Sequence, residues 1–476
     1  MNANKLFLAP LCMLCLFIQS VWGEGLKSWI DDPLMAQPIQ LQAGVTLPDT
    51  SQVNCVMAAD FSQPLELHDA VDTALCNNPQ IRATWAQIKV QTGVLGEARA
   101  AYLPTINGSV SRLRNTTTYG SQQPSMTNTG NQYYGTLNWR LFDFGGREAN
   151  REAASQMLLA AIAGHDASLQ KTMNSVIQAW FEAITSQATM VAREQISTLA
   201  QQTLNVAQRR EQKGVSSHDD TLQASTALAK AELNEMHARG NYLKNLALLK
   251  QTMAVDMNTP VILPQQPERV IPADVRSLNQ WLKEAESHHP AIKQARAKWR
   301  ADQDKITVVR SEGLPTADLT AHISENGFPN QGLSNLNQTS RDIGITVSIP
   351  LFEGFSRKYK IMEARAQAEQ SEAQMEDTTA QILTEVVKAY ADAKTAVGML
   401  AASDRLLSAA QASLISAKRR YANNVADILE VLNSQSSLAD AQQQHIEAIS
   451  QWRSARLSLL ANTGILSQLS GADEML

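Results

Sequence analysis

Two short clusters of histidine and acidic residues could serve catalysis or metal binding. They are His218-Asp219-Asp220 and His288-His289-Pro290. A histidine beside a carboxylate can act as a general base, and neighbouring histidines can bind a metal ion. The second cluster, however, begins a predicted helix, so helix capping is favoured over a metal site. The first cluster lies at a predicted helical turn, where a surface or gate role is favoured over a catalytic pair.

Other signatures of catalysis are missing from the sequence. The chain has eight histidines, and those outside the two clusters are scattered. It has no phosphate-binding loop, zinc-ligand spacing or nucleophile elbow. The sequence therefore predicts that the protein is not an enzyme and that it has no catalytic residues, no metal site and no cofactor.

Composition argues against two broad classes of protein. The 476 residues carry a formal net charge of −5 with no Lys/Arg tract, which gives no support for nucleic acid as a partner. Beyond the N-terminus no uncharged apolar run approaches the roughly 18 residues of a membrane-spanning helix, so a helical membrane protein is excluded. A membrane β-barrel stays possible, because its lipid-facing residues alternate with polar ones.

The N-terminus has the pattern of a secretory signal peptide. Lys5 precedes the apolar run Leu6–Ile18, and a small residue, Gly23, follows at the predicted cleavage point. Residues 1–23 are therefore predicted to be removed on export. Cys12 and Cys15 lie inside this segment without the small residues of a lipoprotein cleavage site, so no lipid anchor is expected.

Two cysteines remain after cleavage, Cys55 and Cys76. An exported chain meets an oxidising compartment, where two remaining thiols commonly form a disulfide. We predict this pairing. The alternative of two buried free thiols stays open.

The strongest signal in the sequence is an internal duplication. Five anchors recur 210 or 211 residues later: Asn78-Pro79-Gln80-Ile81 as His289-Pro290-Ala291-Ile292, Leu103-Pro104-Thr105 as Leu314-Pro315-Thr316, Leu141-Phe142-Asp143 as Leu351-Phe352-Glu353, Arg209-Arg210 as Arg419-Arg420, and Val215 as Val425. One register held over so long a distance indicates two copies of one unit. The predicted organisation is an irregular N-terminal segment at 24–64, a first repeat at 65–255, a Pro-rich linker at 256–276, a second repeat at 277–465 and a tail at 466–476.

Each repeat has the same predicted order of elements. A helical stretch ends at Leu-Pro, two strands follow, and then comes a very long helix, a short break and another long helix. The predicted helices are Leu67–Ala101, Arg147–Lys213 and His218–Met253 in the first repeat, and Leu278–Ser311, Ser356–Ala422 and Ala426–Asn462 in the second. The longest would measure about 100 Å if continuous. Leu400, Leu407, Leu414 and Tyr421 recur at sevenfold spacing, which predicts antiparallel coiled-coil hairpins.

The predicted strands alternate apolar and polar residues. They are Thr105–Leu113, Tyr133–Leu141, Ala317–Ser324 and Asp342–Leu351. Such runs fit a soluble sheet with one wet face, and they also fit strands that cross an outer membrane. The long polar loops Asn115–Gln132 and Asn326–Arg341 favour the membrane alternative. Because four strands cannot close a barrel and open edges are not tolerated in lipid, membrane strands would require several copies of the chain.

The duplicated order of helix, Leu-Pro, two strands and helical hairpin resembles the TolC-like family of outer-membrane channel proteins, over residues 65–465. The resemblance implies a mixed α and β, internally duplicated fold. Long antiparallel coiled-coil hairpins would form a periplasmic α-barrel, and four β-strands per protomer would contribute to a trimeric transmembrane β-barrel of twelve strands. It also implies a homotrimer in outer-membrane lipid, working with a periplasmic adaptor and an inner-membrane ABC or proton-driven pump.

By resemblance, the hairpin tips narrow the periplasmic entrance and meet the adaptor. The residues carried over to the gate are Glu430, Asp220, Tyr421, Asp427 and Asn433, and those carried over to the adaptor contact are Gly214, Val215, Asn424 and Val425. Threefold symmetry would turn one Glu430 into a ring of three carboxylates that attracts cations. The family latch uses an Arg and a second acid, which align with Ala426 and Asn433 here. The latch is therefore expected to be weaker, or to be built from Asp427 and the Arg419-Arg420 pair.

The sequence thus predicts an outer-membrane exit duct of a Gram-negative bacterium with a large periplasmic part. It would passively conduct substrate from the pump and adaptor to the outside. Protein export by type I secretion is favoured weakly over small-molecule efflux in a tripartite pump. A soluble periplasmic coiled-coil scaffold is the alternative from another class.

Overall fold

The computed structural model describes residues 32–39, 41, 61–118, 125–264, 276–327, 333 and 338–464. The predicted signal peptide, Cys55 and the C-terminal tail lie outside these residues. The chain forms two compact units, and each takes pieces of both sequence repeats. Among the described residues, the first unit combines Gln87–Ile162 with Gln294–Met375, and the second combines parts of Ala43–Ala86, Ala163–Lys293 and Glu376–Leu476. The repeat boundaries themselves stay a prediction.

The order of elements is the same in both halves of the chain. The first half contains α1 (Leu67–Asn77), α2 (Pro79–Ala100), β1 (Thr105–Thr117), β2 (Met126–Phe142), α3 (Gly146–Gln212) and α4 (His218–Thr252). The second contains α5 (Leu278–His288), α6 (Pro290–Ser311), β3 (Thr316–Glu325), β4 (Thr339–Ser348), α7 (Ser356–Ala422) and α8 (Ile428–Thr463). None of the helices in these described stretches is long and apolar enough to span a membrane.

The first helical stretch of each repeat is broken, where the sequence predicted one continuous helix. Asn78 and His289 have extended backbone before Pro79 and Pro290, as expected because proline disfavours helix at the preceding residue. The Asn78 side-chain oxygen accepts a hydrogen bond from the Gln80 amide at 2.8 Å. His289 Nδ1 accepts one from the Ala291 amide at 3.2 Å. The capping interpretation of His288-His289-Pro290 is thereby confirmed.

The long helices pack through the predicted heptad positions. From residue 386 onward the buried residues of α7 lie three, four or seven positions apart and are mostly small: Val386, Ala389, Ala396, Ser403, Ala410, Leu414, Ala417 and Tyr421. The last four of them, from Ala410 to Tyr421, form one cluster with Ile428, Val431 and Leu438 of α8. Small side chains let the helices approach closely, as the predicted coiled-coil hairpin requires.

The four strands form one antiparallel sheet in the first unit, in the order β1-β2-β3-β4. Strands β2 and β3 join the two repeats, with Thr136 opposite His322. The first two strands are longer than predicted, because residues 115–117 and 126–132 extend the ladder into the expected polar loop. Thr116 and Thr127 side chains lie 3.1 Å apart across this extension, a polar pairing that the alternation pattern could not indicate.

An arginine fixes each junction between a strand and a long helix. Arg147 binds the Asp143 carboxylate at 3.1 Å and the Arg140 carbonyl at 2.7 Å. Its counterpart Arg357 binds Glu353 at 3.1 Å and the Val309 carbonyl at 2.9 Å. In both junctions the arginine at the start of the long helix makes charge-assisted hydrogen bonds to a backbone carbonyl of a neighbouring element. These bonds fix the direction in which the long helix leaves the sheet.

The core of the second unit gathers around large side chains from α1, α3, α4 and α5. Trp180, Trp281, Met173, Leu249 and Met253 are all nearly inaccessible to solvent. The Trp180 indole donates to the Leu65 carbonyl at 3.3 Å, and the Leu65 amide donates to the Ile262 carbonyl at 2.8 Å. This packing anchors the segments that flank the helices.

His165 on α3 is a buried histidine in the same unit. Its side chain is 2% exposed, and burial lowers its pKa to about 4. Nδ1 lies 2.9 Å from the Thr84 hydroxyl, and Nε2 has no hydrogen-bond partner among the described residues. The fold therefore holds this imidazole in its neutral form.

We expect His165 to make the fold sensitive to acid. Burial lowers the pKa of His165 in the folded state, so above the unfolded pKa of 6.5 the neutral imidazole does not reduce the free energy of unfolding. As the pH falls from 6.5 towards 4, the unfolded chain binds the proton more readily than the folded chain, and the free energy of unfolding decreases. The loss should reach about 3 kcal/mol of unfolding free energy. Thermal unfolding followed from pH 7 to pH 4 should show a shallower decline for His165→Gln than for the native chain. His288→Gln, at a half-exposed histidine, is the control, and equal slopes for both variants would contradict the prediction.

Candidate functional site

The first hairpin tip joins α3 to α4 through a tight turn. Gly214 has a φ of +72°, which glycine adopts without strain. The Val215 amide donates to the Arg210 carbonyl at 2.9 Å and the Gly214 amide to the Glu211 carbonyl at 2.8 Å. These bonds close the last turn of α3 by a left-handed helix cap. Val215 is left 51% exposed at the tip.

The second hairpin tip, between α7 and α8, repeats the same turn. Asn424 takes the place of the glycine with a φ of +59°, which Asn tolerates better than most residues. The Val425 amide donates to the Arg420 carbonyl at 2.9 Å. Val425 is 68% exposed. The two tips therefore each present a valine to solvent, as the proposed adaptor contact requires.

Arg210 connects the two tips. Its guanidinium carbon lies 4.5 Å from the centre of the Tyr421 ring, and its Nη2 donates to the Asn424 side-chain oxygen. Tyr421 is 6% exposed, and burial raises the pKa of its hydroxyl. A cation above an aromatic ring and a charged hydrogen bond stabilise the contact between hairpins.

Glu430 is paired within its own hairpin. Arg420 Nη1 donates to Glu430 Oε1 at 2.7 Å across the second turn. Asp427 is the N-cap residue of α8, and its carbonyl accepts from the Glu430 amide at 3.2 Å. A latch built from Asp427 and the Arg419-Arg420 pair stays a prediction. Both members of the Arg420–Glu430 pair are more than one-third exposed, so the pair adds little stability by itself.

Asp220 lies in the first turn of α4, where it serves the helix cap. Ser217 Oγ donates to the Asp220 carboxylate at 3.0 Å, and the Asp220 amide donates back to that hydroxyl at 3.2 Å. Across the turn, Thr221 donates to Glu211 at 2.5 Å and His218 Nδ1 lies 2.8 Å from the same carboxylate. The Thr221 hydrogen bond, followed by His218, lowers the pKa of Glu211.

The remaining candidate residue, Asn433, lies one turn further into α8 and is exposed. Its side chain takes no part in the contacts between the tips described above. Of the predicted site residues, Tyr421 and Asn424 of the second tip are thus both in contact with Arg210 of the first tip. Glu430, Asp427 and Asp220 are left in local contacts of their own hairpins.

Arg210 is the residue that the sequence reasoning missed at this site. In the sequence the pair Arg209-Arg210 marks the duplication, and the expected latch involves only its counterpart Arg419-Arg420. The 210-residue offset is the sequence signal that points to Arg210. Each repeat has an arginine at its hairpin tip, and the arginine of one repeat can face the tip of the other repeat.

No cofactor or metal site emerges in the described stretches, where no group of three His, Cys, Asp or Glu side chains is placed to hold an ion. Cys76 on α1 is disulfide-bonded. Cys55 lies outside the described residues, so its pairing with Cys76 stays a prediction. A disulfide closing a loop of about 20 residues would stabilise the fold by roughly 3 kcal/mol.

Comparison with known proteins identifies relatives along nearly the whole chain. The outer membrane efflux protein family matches residues 70–255 and 281–464. Protein CyaE of Bordetella pertussis is 35% identical over 417 residues, which cover 87% of each chain. Proteases secretion protein PrtF of Dickeya chrysanthemi is 21% identical over 422 residues, covering 87% of this chain and 91% of that protein.

The fold agrees with a solved structure. The outer membrane protein VceC of Vibrio cholerae matches with a TM-score of 0.75 at 20% identity, over 84% of this chain and 96% of that chain. This likeness confirms the predicted duplicated fold of long helices and a four-stranded sheet. The chain therefore belongs to the outer membrane efflux protein family of channel proteins, located in the outer membrane with a large periplasmic helical part.

Proposed function

We propose that three copies of this chain form an outer-membrane exit duct, which passively conducts substrate delivered by an inner-membrane pump through a periplasmic adaptor. The observation that carries the proposal is a second apolar stripe on α4, whose large side chains stay more than half exposed among the residues that the structure describes. Leu222, Leu233, Met236 and Leu243 are between 52% and 58% exposed. Stripes of this size on a soluble surface mark interfaces.

The spacing of this α4 stripe matches a coiled-coil seam. Its members recur every three or four residues together with the small residues Ala229, Gly240 and Ala247. The helix already buries Ala224, Ala231 and Ala238 against its own chain, and at 100° per residue these lie roughly opposite the stripe. A helix with two seams needs two partners, and we propose that a second copy supplies the other one.

The sheet also requires a second copy of the chain. Strands β1 and β4 are its edges, and the apolar side chains Ile106, Val110, Ile343, Ile345 and Val347 are 60% exposed or more. In lipid these side chains are favourable, but open backbone edges are not. Because β1 and β4 run antiparallel to each other, β4 of one copy can pair with β1 of the next. Three copies give a closed barrel of twelve strands.

The two tips form the gate and the adaptor contact in this proposal. Arg210, Tyr421 and Asn424 hold the hairpins of one copy together, and Val215 and Val425 face the adaptor. Glu430 would form a threefold ring of carboxylates at the entrance, with Asp220, Asp427 and Asn433 close to it. Like charges around a narrow opening attract cations, so the duct should be cation-selective.

We expect Glu430→Gln to lower cation selectivity and divalent-ion block in single-channel recordings, because it removes three carboxylates from the entrance and leaves the three Arg420 cations that pair with them unbalanced. Glu447→Gln, a carboxylate five turns further along α8, is the matched control and should behave as the native channel. Unchanged block by divalent ions in Glu430→Gln would place Glu430 outside the constriction.

We propose exported protein as the cargo. Support comes from the relative named as a proteases secretion protein, whereas the family name refers to efflux. A bacterium lacking the chain should retain a normally secreted protein if cargo is protein, and should become sensitive to small toxic compounds if the efflux alternative holds. The soluble scaffold alternative finds no support, because the family consists of outer-membrane channels.

A further inference from the structure

A cavity of about 650 Å³ lies where β4 passes into α7. Its walls are mostly apolar and include Leu351, Phe352, Phe355 and Met362, each between 60% and 91% exposed. Phe352 and Phe355 pack edge to face with ring centres 5.4 Å apart. The cavity is therefore an open, preformed apolar hollow beside the end of the sheet.

Three cationic side chains border this cavity, namely Arg357, Lys358 and Arg365. Lys358 and Arg365 line it from the first turns of α7, and with Ile361 and Met362 they share one face because their spacing follows helix periodicity. The nearby carboxylates Glu312 and Glu353 are both bound by Arg357. Within the described residues this leaves Lys358 and Arg365 without an ion-pair partner.

The duplication supplies an internal comparison. The first junction also has an edge-to-face aromatic pair, Phe142 and Phe144, although Phe144 stands one position before the counterpart of Phe355, and it has the equivalent arginine, Arg147. At the positions of Lys358 and Arg365, however, it has Glu148 and Ser155, and Glu148 is hydrogen-bonded to the Tyr102 hydroxyl at 2.8 Å. The fold of the junction therefore does not require cations there, and their presence in the second repeat needs another cause.

We infer that this cavity binds an anionic phospholipid of the inner leaflet of the outer membrane. The apolar strand face of Ile345 and Val347 leads directly to Leu351, so acyl chains can follow it into the hollow. The helices lie on the periplasmic side, which places the cations at the height of inner-leaflet headgroups. Lys358 and Arg365 bind the phosphate, while the phenylalanines contact the acyl chains.

The test measures retained lipid by native mass spectrometry of the purified full-length protein, titrated with phosphatidylglycerol or phosphatidylcholine. The native protein should retain phosphatidylglycerol in preference to phosphatidylcholine. Lys358→Gln with Arg365→Gln should weaken that binding about 30-fold and remove the preference. Lys360→Gln with Arg300→Gln removes the same charge from exposed positions that do not line the cavity, and it should bind as the native protein does.

Photo-crosslinking separates lipid from the other possible occupant. A benzophenone amino acid at Met362, activated in nanodiscs of phosphatidylglycerol, should add the mass of one lipid to the chain. A crosslink to a second copy instead would overturn the proposal, as would equal phosphatidylglycerol binding by the two double variants. Neither result would bear on whether the channel itself conducts.

Discussion

Leu233→Asp is expected to abolish assembly of the three-copy channel. Leu233 is 58% exposed in the single chain and lies at the centre of the α4 stripe. In the proposed assembly it is buried against a second copy, where an unpaired carboxylate costs several kcal/mol. Because the assembly contains three such contacts, the penalty applies three times, and the folded chain should remain without its partners.

The measurement is the oligomeric state of detergent-extracted protein. The native chain should migrate as a heat-modifiable oligomer, and Leu233→Asp as a monomer with unchanged helix content. Asn241→Asp introduces the same carboxylate about two turns further along, at an exposed polar position outside the stripe, and should assemble normally. Normal assembly of Leu233→Asp would show that the α4 stripe is not an interface between copies.

Arg210→Met is expected to open the periplasmic entrance. The change keeps the aliphatic stem but removes the cation above Tyr421 and the hydrogen bond to Asn424. A partly buried cation–π contact and a charge-assisted hydrogen bond together contribute roughly 2–4 kcal/mol for each copy. Losing this contact in all three copies should move the population of tips from closed to open.

Planar-bilayer recording checks this prediction, because an open entrance should raise the mean single-channel conductance of Arg210→Met several-fold. Arg209→Met is the matched control. Arg209 is also exposed, but its Nε donates only to the Asn205 carbonyl of its own helix, at 3.1 Å. Equal conductance in the two variants would show that Arg210 does not hold the entrance closed.

Much of the fold follows from patterns that are local along the chain. The sevenfold spacing from Leu400 to Tyr421 predicted the buried seam of α7 correctly at Leu414 and Tyr421, whereas Leu400 and Leu407 are only partly buried. Gly214 and Asn424 marked both hairpin turns, since left-handed backbone favours these residue types. The 210-residue offset predicted that both halves share one order of elements, and the comparisons confirm the duplicated fold.

The differences arise where a nonlocal partner decides the structure. The polar residues Thr116 and Thr127 indicated a loop, but they pair with each other across a ladder that their own pattern does not reveal. Arg210 had no local sign of its role, because its partners Tyr421 and Asn424 are more than 200 residues away. At the break before Pro79, the steric effect on Asn78 outweighed the helical pattern on either side.

The stoichiometry of the protein released from the outer membrane tests the central proposal most directly. Native mass spectrometry of the detergent-extracted native chain should give one species of three copies, because four strands per copy close a barrel only when three copies supply twelve. A stable monomer, or an assembly of any other number of copies, would contradict the proposed trimeric duct.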